Sequence, residues 1–298
     1  MIKLLLEIII TNQCNKRCDY CDLDFKSNYI SKGSIDLFYK KYKAEQNKFE
    51  SIYINFFWWE PLLNFDMVTY CVNKFWKEPK IKFSLWTNGL LLNKEKLEFC
   101  LKNNVEIHLS LDYDNVDSIL SNELILAYKN IIHINFILQP RKIFLLQDKL
   151  DAALKVGFIN FNIMPVYTTR LWTLKELDEL KTIYLWIMCT FENQRINFFT
   201  YFKWPTSELQ FMLDTDWSLY RDIDSLLWLQ KQYSIIPKSL KDLIHRVSYS
   251  WNINGNFSLS EVCDNYQSNN IERVIESIPK ITNNEEINSR IEQIFTSN

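Results

Sequence analysis

Glycine is the residue in which this sequence is most clearly deficient. The 298-residue chain contains four glycines, whereas about 21 would be expected if glycine made up the usual share of roughly 7%. Tryptophan, normally one of the rarest residues, occurs ten times. With 47% hydrophobic and 23% charged residues, the composition still predicts a globular protein, with one large domain or two unequal ones.

The chain also lacks a surplus of charge and a long apolar run. Thirty-four Lys and Arg against 36 Asp and Glu give a net charge of -2, which predicts neither a nucleic-acid partner nor an anionic membrane surface. No stretch reaches the roughly 18 uncharged apolar residues of a membrane span. Glu7 interrupts the apolar start of the chain and no small-residue cleavage site follows, so residues 1–10 are interpreted as a strand, not a signal peptide. We therefore predict a cytoplasmic protein.

The cysteines are too unevenly spaced for a disulfide framework. There are seven, and three of them, Cys14, Cys18 and Cys21, lie within eight residues. In a reducing compartment such clustering indicates a metal site. The spacing leaves open an iron-sulfur cluster, a zinc site completed by a distant residue such as Cys263 or a His, and three unrelated thiols.

Apolar, β-rich runs alternate with segments of helical pattern along the first two thirds of the chain. Six such β-α units predict an α/β protein with a parallel sheet, and periodicity does not distinguish an open doubly wound sheet from a barrel. The pairs of runs are 2–10 and 34–48; 51–57 and 64–77; 81–86 and 93–103; 105–111 and 116–130; 131–138 and 142–156; 158–166 and 173–192. After about residue 195 the pattern changes to short strands and turns, which predicts a C-terminal extension.

The cysteine cluster resembles the signature of the radical S-adenosylmethionine (SAM) superfamily. It reads C-x3-C-x2-C directly after the first strand, with Tyr20 immediately before the last cysteine. The resemblance covers roughly residues 4 to 170. It implies a partial (β/α)6 TIM-like barrel as the core domain, residues 1–194, and a small α+β extension, residues 195–298, similar to an auxiliary domain that has lost its ligands.

The resemblance also implies the chemistry. Cys14, Cys18 and Cys21 would hold one [4Fe-4S] cluster, SAM would chelate the iron that has no protein ligand, and Tyr20 would lie beside the adenine. Reductive cleavage of SAM would generate a 5'-deoxyadenosyl radical, with electrons from a flavodoxin- or ferredoxin-like donor. The branch of the superfamily that is most similar modifies peptides, so a peptide is the expected substrate.

A second motif departs from the family. Where the family usually has Gly-Gly-Glu-Pro, this chain has Trp58, Trp59, Glu60 and Pro61. One hypothesis is a non-catalytic iron-sulfur or zinc protein that has lost SAM cleavage. Another is that UGA codons, which some bacteria read as glycine, have been translated as tryptophan. A third is AT-rich coding that depletes glycine while aromatic residues fill the core.

The remaining predicted SAM contacts follow later strands. The resemblance places Asn88 after the third strand, Ser110 and Asp112 at the end of the fourth, and Met164 near the adenine. His108 shares the face of Ser110 and Asp112 because side chains alternate along a strand. We interpret it as a hydrogen-bonded interior histidine; the alternative is that it meets the substrate or acts as an acid or base.

Overall fold

The computed structural model describes most of the first 165 residues and short segments beyond them. The described residues are 1–18, 21, 27–57, 59–113, 116–165, 175, 179, 182–183, 197–200, 209–213, 218–221, 250–252 and 258–259. Their helices are α1 (Lys32–Glu45), α2 (Phe65–Phe75), α3 (Lys94–Lys102), α4 (Val116–Leu120), α5 (Glu123–Ala127) and α6 (Leu146–Lys155). Their strands are β1 (Ile2–Ile8), β2 (Phe49–Phe56), β3 (Ile81–Thr87), β4 (Val105–Leu111), β5 (Ile132–Leu138), β6 (Asn160–Pro165), β7 (Asn197–Thr200), β8 (Leu209–Leu213), β9 (Ser218–Arg221) and β10 (Ser250–Asn252).

One compact unit is built on the strands at the start of the chain. Its strand order is β10-β9-β8-β1-β2-β3. Strands β8, β1, β2 and β3 are parallel to one another, whereas β9 is antiparallel to β8 and β10 is antiparallel to β9. Leu4, Leu5, Leu6 and Ile8 of β1 are all buried, because a central parallel strand is covered on both faces and therefore has a nearly continuous apolar sequence.

Aromatic packing joins helices α1 and α2 of this unit. Ser31 caps α1 by accepting a hydrogen bond from the Ser34 amide, which satisfies one of the free N–H groups of the first turn. Phe75 of α2 contacts Phe38 and Tyr39 of α1, with ring centroids 6.3 and 5.0 Å apart. Edge-on and tilted aromatic pairs at these separations stabilise a core beyond their buried area.

The second compact unit contains β4, β5, β6 and β7 in that order, all parallel. Ile107, Leu109 and Leu111 form the fully buried face of β4, and Ile132, Ile134 and Phe136 form the matching face of β5. The opposite face of these strands is mostly polar. This division positions the polar residues discussed below.

The predicted fold class, an α/β partial TIM-like barrel, is confirmed. The single helix predicted over 116–130 is wrong in detail, because Asn122 accepts hydrogen bonds from the Leu124 and Ile125 amides and so starts a new helix there. Most of the helix predicted over 173–192 lies outside the described residues. Strand β8, from the predicted extension, pairs with β1, and the boundary at residue 195 stays a prediction. Within the described part of the chain, no helix has the length and apolarity to cross a membrane.

Glu78 follows α2 and bonds to side chains of α1, and it makes the stability of the packing between these two helices dependent on pH. Its carboxylate accepts hydrogen bonds from Lys43 Nζ at 3.0 Å, Tyr39 OH at 3.0 Å and Tyr42 OH at 3.4 Å. Burial by itself raises the pKa of Glu78, but the hydrogen bonds from Lys43 and Tyr39 outweigh burial, so the net shift of the pKa is downward. A carboxyl group with a lowered folded-state pKa stabilises the fold above its unfolded pKa, and this contribution is lost as the pH falls through the folded pKa.

We expect Glu78→Gln to lower the midpoint of urea unfolding at neutral pH and to reduce the further loss that acidification to about pH 3 causes. Glu50→Gln is the matched control, because Glu50 pairs at 3.5 Å with Lys3 and both side chains are about half exposed. An exposed pair of this kind contributes little. Equal losses in the two variants would contradict the assigned role of Glu78.

Candidate functional site

The loop that carries the clustered cysteines begins where residues 11–13 are hydrogen-bonded to residues 28–29. After β1, Thr11 and Tyr29 form an isolated antiparallel bridge. The Thr11 hydroxyl donates to the Asn28 carbonyl at 3.0 Å, and the Asn12 amide donates to the same carbonyl at 3.1 Å. Tyr29 OH donates to Gln13 Oε1 at 2.7 Å. These bonds fix where the cysteine loop leaves the sheet.

The three clustered cysteines are outside any disulfide and partly exposed, whereas Cys71 and Cys100 are outside any disulfide and buried. The Lys16 amide donates to Cys14 Sγ at 3.4 Å, and the Cys21 amide donates to the Cys18 carbonyl at 3.1 Å. Burial, followed by the charges of Glu60, Cys18 and Cys21, raises the pKa of Cys14 against the Lys16 hydrogen bond, which lowers it. Cys14 therefore interacts electrostatically with both other cysteines.

This donor set fits an iron-sulfur cluster. Thiolates are the usual protein ligands of such clusters, and these three thiols lie on one loop outside any disulfide. Among the described residues, no three His, Cys, Asp or Glu side chains converge where a single metal ion would bind. A cubane cluster places each thiolate on a different iron, so its ligands do not need to meet at one point.

Glu60 connects the loop after β2 to the cysteine loop. Its amide donates to the Gln13 carbonyl at 2.9 Å, next to Cys14. Its side chain is fully buried, and Oε1 accepts from the Leu62 amide at 3.0 Å and from Thr87 Oγ1 at 2.8 Å. The carboxylate of Glu60 is thus held by the start of a 3-10 helix and by the last residue of β3.

Trp59 has an unusual backbone conformation. Its φ is +40°, and Asn104, at +52°, is the only other described non-glycine residue with a positive φ. Asn tolerates the left-handed region, whereas for a bulky residue it is a clear outlier. This conformation is the one that glycine adopts without penalty. The backbone at position 59 therefore agrees with the glycine expected from the family motif.

Asn88 and Gly89 form a tight turn after β3. Asn88 Oδ1 accepts from the Leu90 amide at 3.0 Å, and Gly89 has a φ of +80°. A Cβ at position 89 would collide with Leu109 Cδ1. The turn therefore requires glycine, and the side chain of Asn88 serves the turn itself.

The second unit places the predicted residues of β4 on its polar face or just beyond it. His108 and Asp112 are buried, and Ser110 is half-buried. Burial, followed by the neighbouring His133, lowers the pKa of His108 to about 3, and a hydrogen bond with Asn135 opposes this shift. His108 is thus a neutral, hydrogen-bonded interior histidine, as predicted. Tyr20, Trp58 and the side chain of Met164 lie outside the described residues.

The sequence profile of the Radical SAM superfamily matches residues 8–137. These residues form a radical SAM domain. An uncharacterized protein of Methanocaldococcus jannaschii, MJ0907, is 30% identical in an alignment of 133 residues that covers 41% of this chain. The match spans about two fifths of that relative's length (41%).

Solved structures share the fold of the radical SAM domain at low identity. The protein anSMEcpe with bound AdoMet is 18% identical, with a TM-score of 0.61 over 74% of each chain. SuiB of Streptococcus suis bound to its precursor peptide SuiA is 17% identical, with a TM-score of 0.56 over 76% of this chain and 61% of SuiB. SuiB bound to S-adenosylmethionine has a TM-score of 0.60 at 14% identity, over 93% of this chain and 68% of SuiB.

Two hydrogen-bond partners of Glu60 were not predicted from the sequence. The Glu60 amide donates to the backbone carbonyl of Gln13, and because every residue has a backbone carbonyl, no residue type marks this bond in the sequence. Thr87 was visible as the last residue of a strand, but that it would bond to Glu60 depends on the parallel pairing of β2 with β3.

Proposed function

We propose that this protein is a radical SAM enzyme that reductively cleaves SAM at a [4Fe-4S] cluster held by Cys14, Cys18 and Cys21, and that its substrate is a peptide. The observation that carries the proposal is the bond between the Glu60 amide and the Gln13 carbonyl. It joins the loop of the second motif to the loop of the first, next to Cys14.

The residues of this chain would bind and orient the reactants. When bound, the cluster supplies the electron for SAM cleavage and an iron without a protein ligand. Glu60 offers a buried carboxylate near Cys14, which suits the cationic amine of SAM. Thr87 and the Leu62 amide hold this carboxylate in one orientation, which limits the reorganisation needed on binding. Tyr20, Asn88, Ser110, Asp112 and Met164 stay predicted contacts of SAM.

Two parts of the proposal concern partners. The SuiB structure bound to a precursor peptide supports a peptide substrate by similarity of fold. A flavodoxin- or ferredoxin-like electron donor is proposed because reductive cleavage needs a one-electron source. A cytoplasmic location is proposed because clustered cysteines outside disulfides are typical of a reducing compartment.

The test is release of 5'-deoxyadenosine from SAM by the anaerobically reconstituted, dithionite-reduced protein. Release that needs both the cluster and the reductant supports the enzyme. An intact iron-sulfur cluster whose spectrum does not change with SAM, with no product, would instead support the non-catalytic alternative.

Thr87 is proposed as a positioning residue for Glu60. We expect Thr87→Val to weaken SAM binding about tenfold, because it leaves a buried carboxylate oxygen without one of its donors. Thr87→Ser keeps the hydroxyl and should bind SAM nearly as well as the unmodified protein. The measurement is a titration of the cluster absorption spectrum with SAM, with iron content determined in parallel. If both variants bind SAM equally, or if only iron content falls, the assigned role is wrong.

A further inference from the structure

A row of polar side chains crosses three neighbouring strands of the second unit. We call it the polar ladder; its members are His108, Ser110, His133, Asn135 and Asn162. They are register partners: His108 is opposite His133, Ser110 is opposite Asn135, and Asn135 is opposite Asn162. Strands of a parallel sheet are usually covered on both faces and therefore apolar on both. Polar residues at these positions therefore need a separate explanation.

The ladder is internally connected. Asn162 Nδ2 donates to Asn135 Oδ1 at 2.8 Å, and the rings of His108 and His133 stack with centroids 4.7 Å apart at an angle of 22°. His108 also hydrogen-bonds to Asn135. These contacts give Asn135 Oδ1 its partners and hold the rings in place.

Three ladder nitrogens in the described part of the chain are buried without a hydrogen-bond partner: Asn135 Nδ2, His133 Nδ1 and, although that residue bonds to Asn135 through another atom, His108 Nδ1. The side chains of Asn135 and His133 lie on one face of β5, two residues apart, opposite Ile132, Ile134 and Phe136. A buried polar atom without a hydrogen-bond partner is costly and rare in native proteins. The two atoms on β5 therefore indicate a ligand that supplies both partners.

The charge of the ladder restricts the ligand. His108 is neutral near pH 7 because burial and His133 lower its pKa to about 3. A charged group also acts on the ladder. Glu106 raises the pKa of His133, against the effect of burial, which lowers it. An acidic neighbour and neutral side chains disfavour phosphate or carboxylate ligands. An uncharged group with one acceptor and one donor fits best.

We propose that the polar ladder binds a backbone amide of the peptide substrate, with Asn135 Nδ2 donating to its carbonyl and His133 Nδ1 accepting from its N–H. This inference rests on the proposed function, since it assumes a peptide substrate. Asn135 is the middle residue of β5, whereas Glu60 and Thr87 lie after or at the ends of their strands. Asn135 and His133 are therefore assigned to the substrate, whereas Ser110 stays a predicted contact of SAM.

The test uses the cluster-loaded protein with SAM and a defined probe, an equimolar mixture of N-acetyl amino acid N-methylamides. Saturation-transfer NMR measures binding of the probe, and the cluster spectrum measures binding of SAM. Asn135→Asp keeps the oxygen that accepts from Asn162 and replaces the Nδ2 donor with a second carboxyl oxygen. His133→Phe keeps a ring against His108 and removes Nδ1. Asn122→Asp is the control, because it makes the same chemical change at a helix cap that Asp also satisfies.

We expect Asn135→Asp and His133→Phe each to weaken probe binding about tenfold, because each loses one buried hydrogen bond to the probe. Probe binding by the Asn122→Asp protein, and SAM binding by all three variants, should stay unchanged. Unchanged probe binding in both ladder variants overturns the inference. So does a parallel loss of SAM binding, which would assign the ladder to the cofactor. If the unmodified protein binds the probe through the ladder but cleaves no SAM, the inference stands and the proposed function fails.

Discussion

A protein carrying Trp58→Gly and Trp59→Gly together is expected to release 5'-deoxyadenosine from SAM at least about tenfold faster than the unmodified protein. The reason is steric and conformational. An indole can bury about 150–250 Å², and the family's glycines let the backbone approach SAM. Trp59 has a φ of +40°, in a region that costs an L-residue with a side chain about 1–2 kcal/mol.

Stability provides a second, activity-independent readout of the same change. Removing a cost of that size should raise the melting temperature by a few degrees, since 1 kcal/mol corresponds to about 2–4 °C in a domain of about 150–250 residues. Trp59→Gly alone should give this gain, because the positive φ belongs to that residue.

Trp76→Gly is the matched control for both measurements. Trp76 is 65% exposed and has a φ of -58°, so glycine relieves nothing there. If the double-glycine protein is no more active or stable than this control while its cluster is intact, the glycine hypothesis is wrong. Codons other than UGA at positions 58 and 59, or a host that does not read UGA as glycine, would refute the translational explanation directly.

Replacing any one of Cys14, Cys18 and Cys21 by Ala is expected to reduce bound iron and sulfide to less than about a tenth, and 5'-deoxyadenosine release with them. A cubane held by three thiolates has no spare protein ligand, and each thiolate is bound in its deprotonated form. Iron and sulfide analysis of the anaerobically reconstituted protein gives the result, with circular dichroism to confirm that the variants are folded.

Cys71→Ala and Cys100→Ala are the controls for these substitutions. Both thiols are fully buried in helices α2 and α3, and burial raises the pKa of Cys100 to about 12, so neither behaves as a reactive thiolate. We expect both controls to keep iron and sulfide. Zinc without iron or sulfide in the unmodified protein would instead identify the zinc alternative as correct.

The sequence was informative wherever a local pattern has a single physical meaning. Six β-α alternations predicted a parallel α/β architecture, and the strands lie within a few residues of the predicted runs because a buried parallel strand has a nearly continuous apolar sequence. It was less informative at Asn122, where one side chain divides a helical pattern into two helices. A local hydrogen bond there competes with the pattern of the whole segment.

For the candidate site, the sequence by itself determined the residue types: three closely spaced cysteines, a Glu-Pro after β2 and a polar face on β4. Only the tertiary structure decided which of them meet. The bonds of Glu60 to Gln13 and Thr87, and the rows that join His108 to His133 and Asn135 to Asn162, depend on the register of parallel strands. Residues far apart in sequence set that register through their packing, and no single segment contains the information.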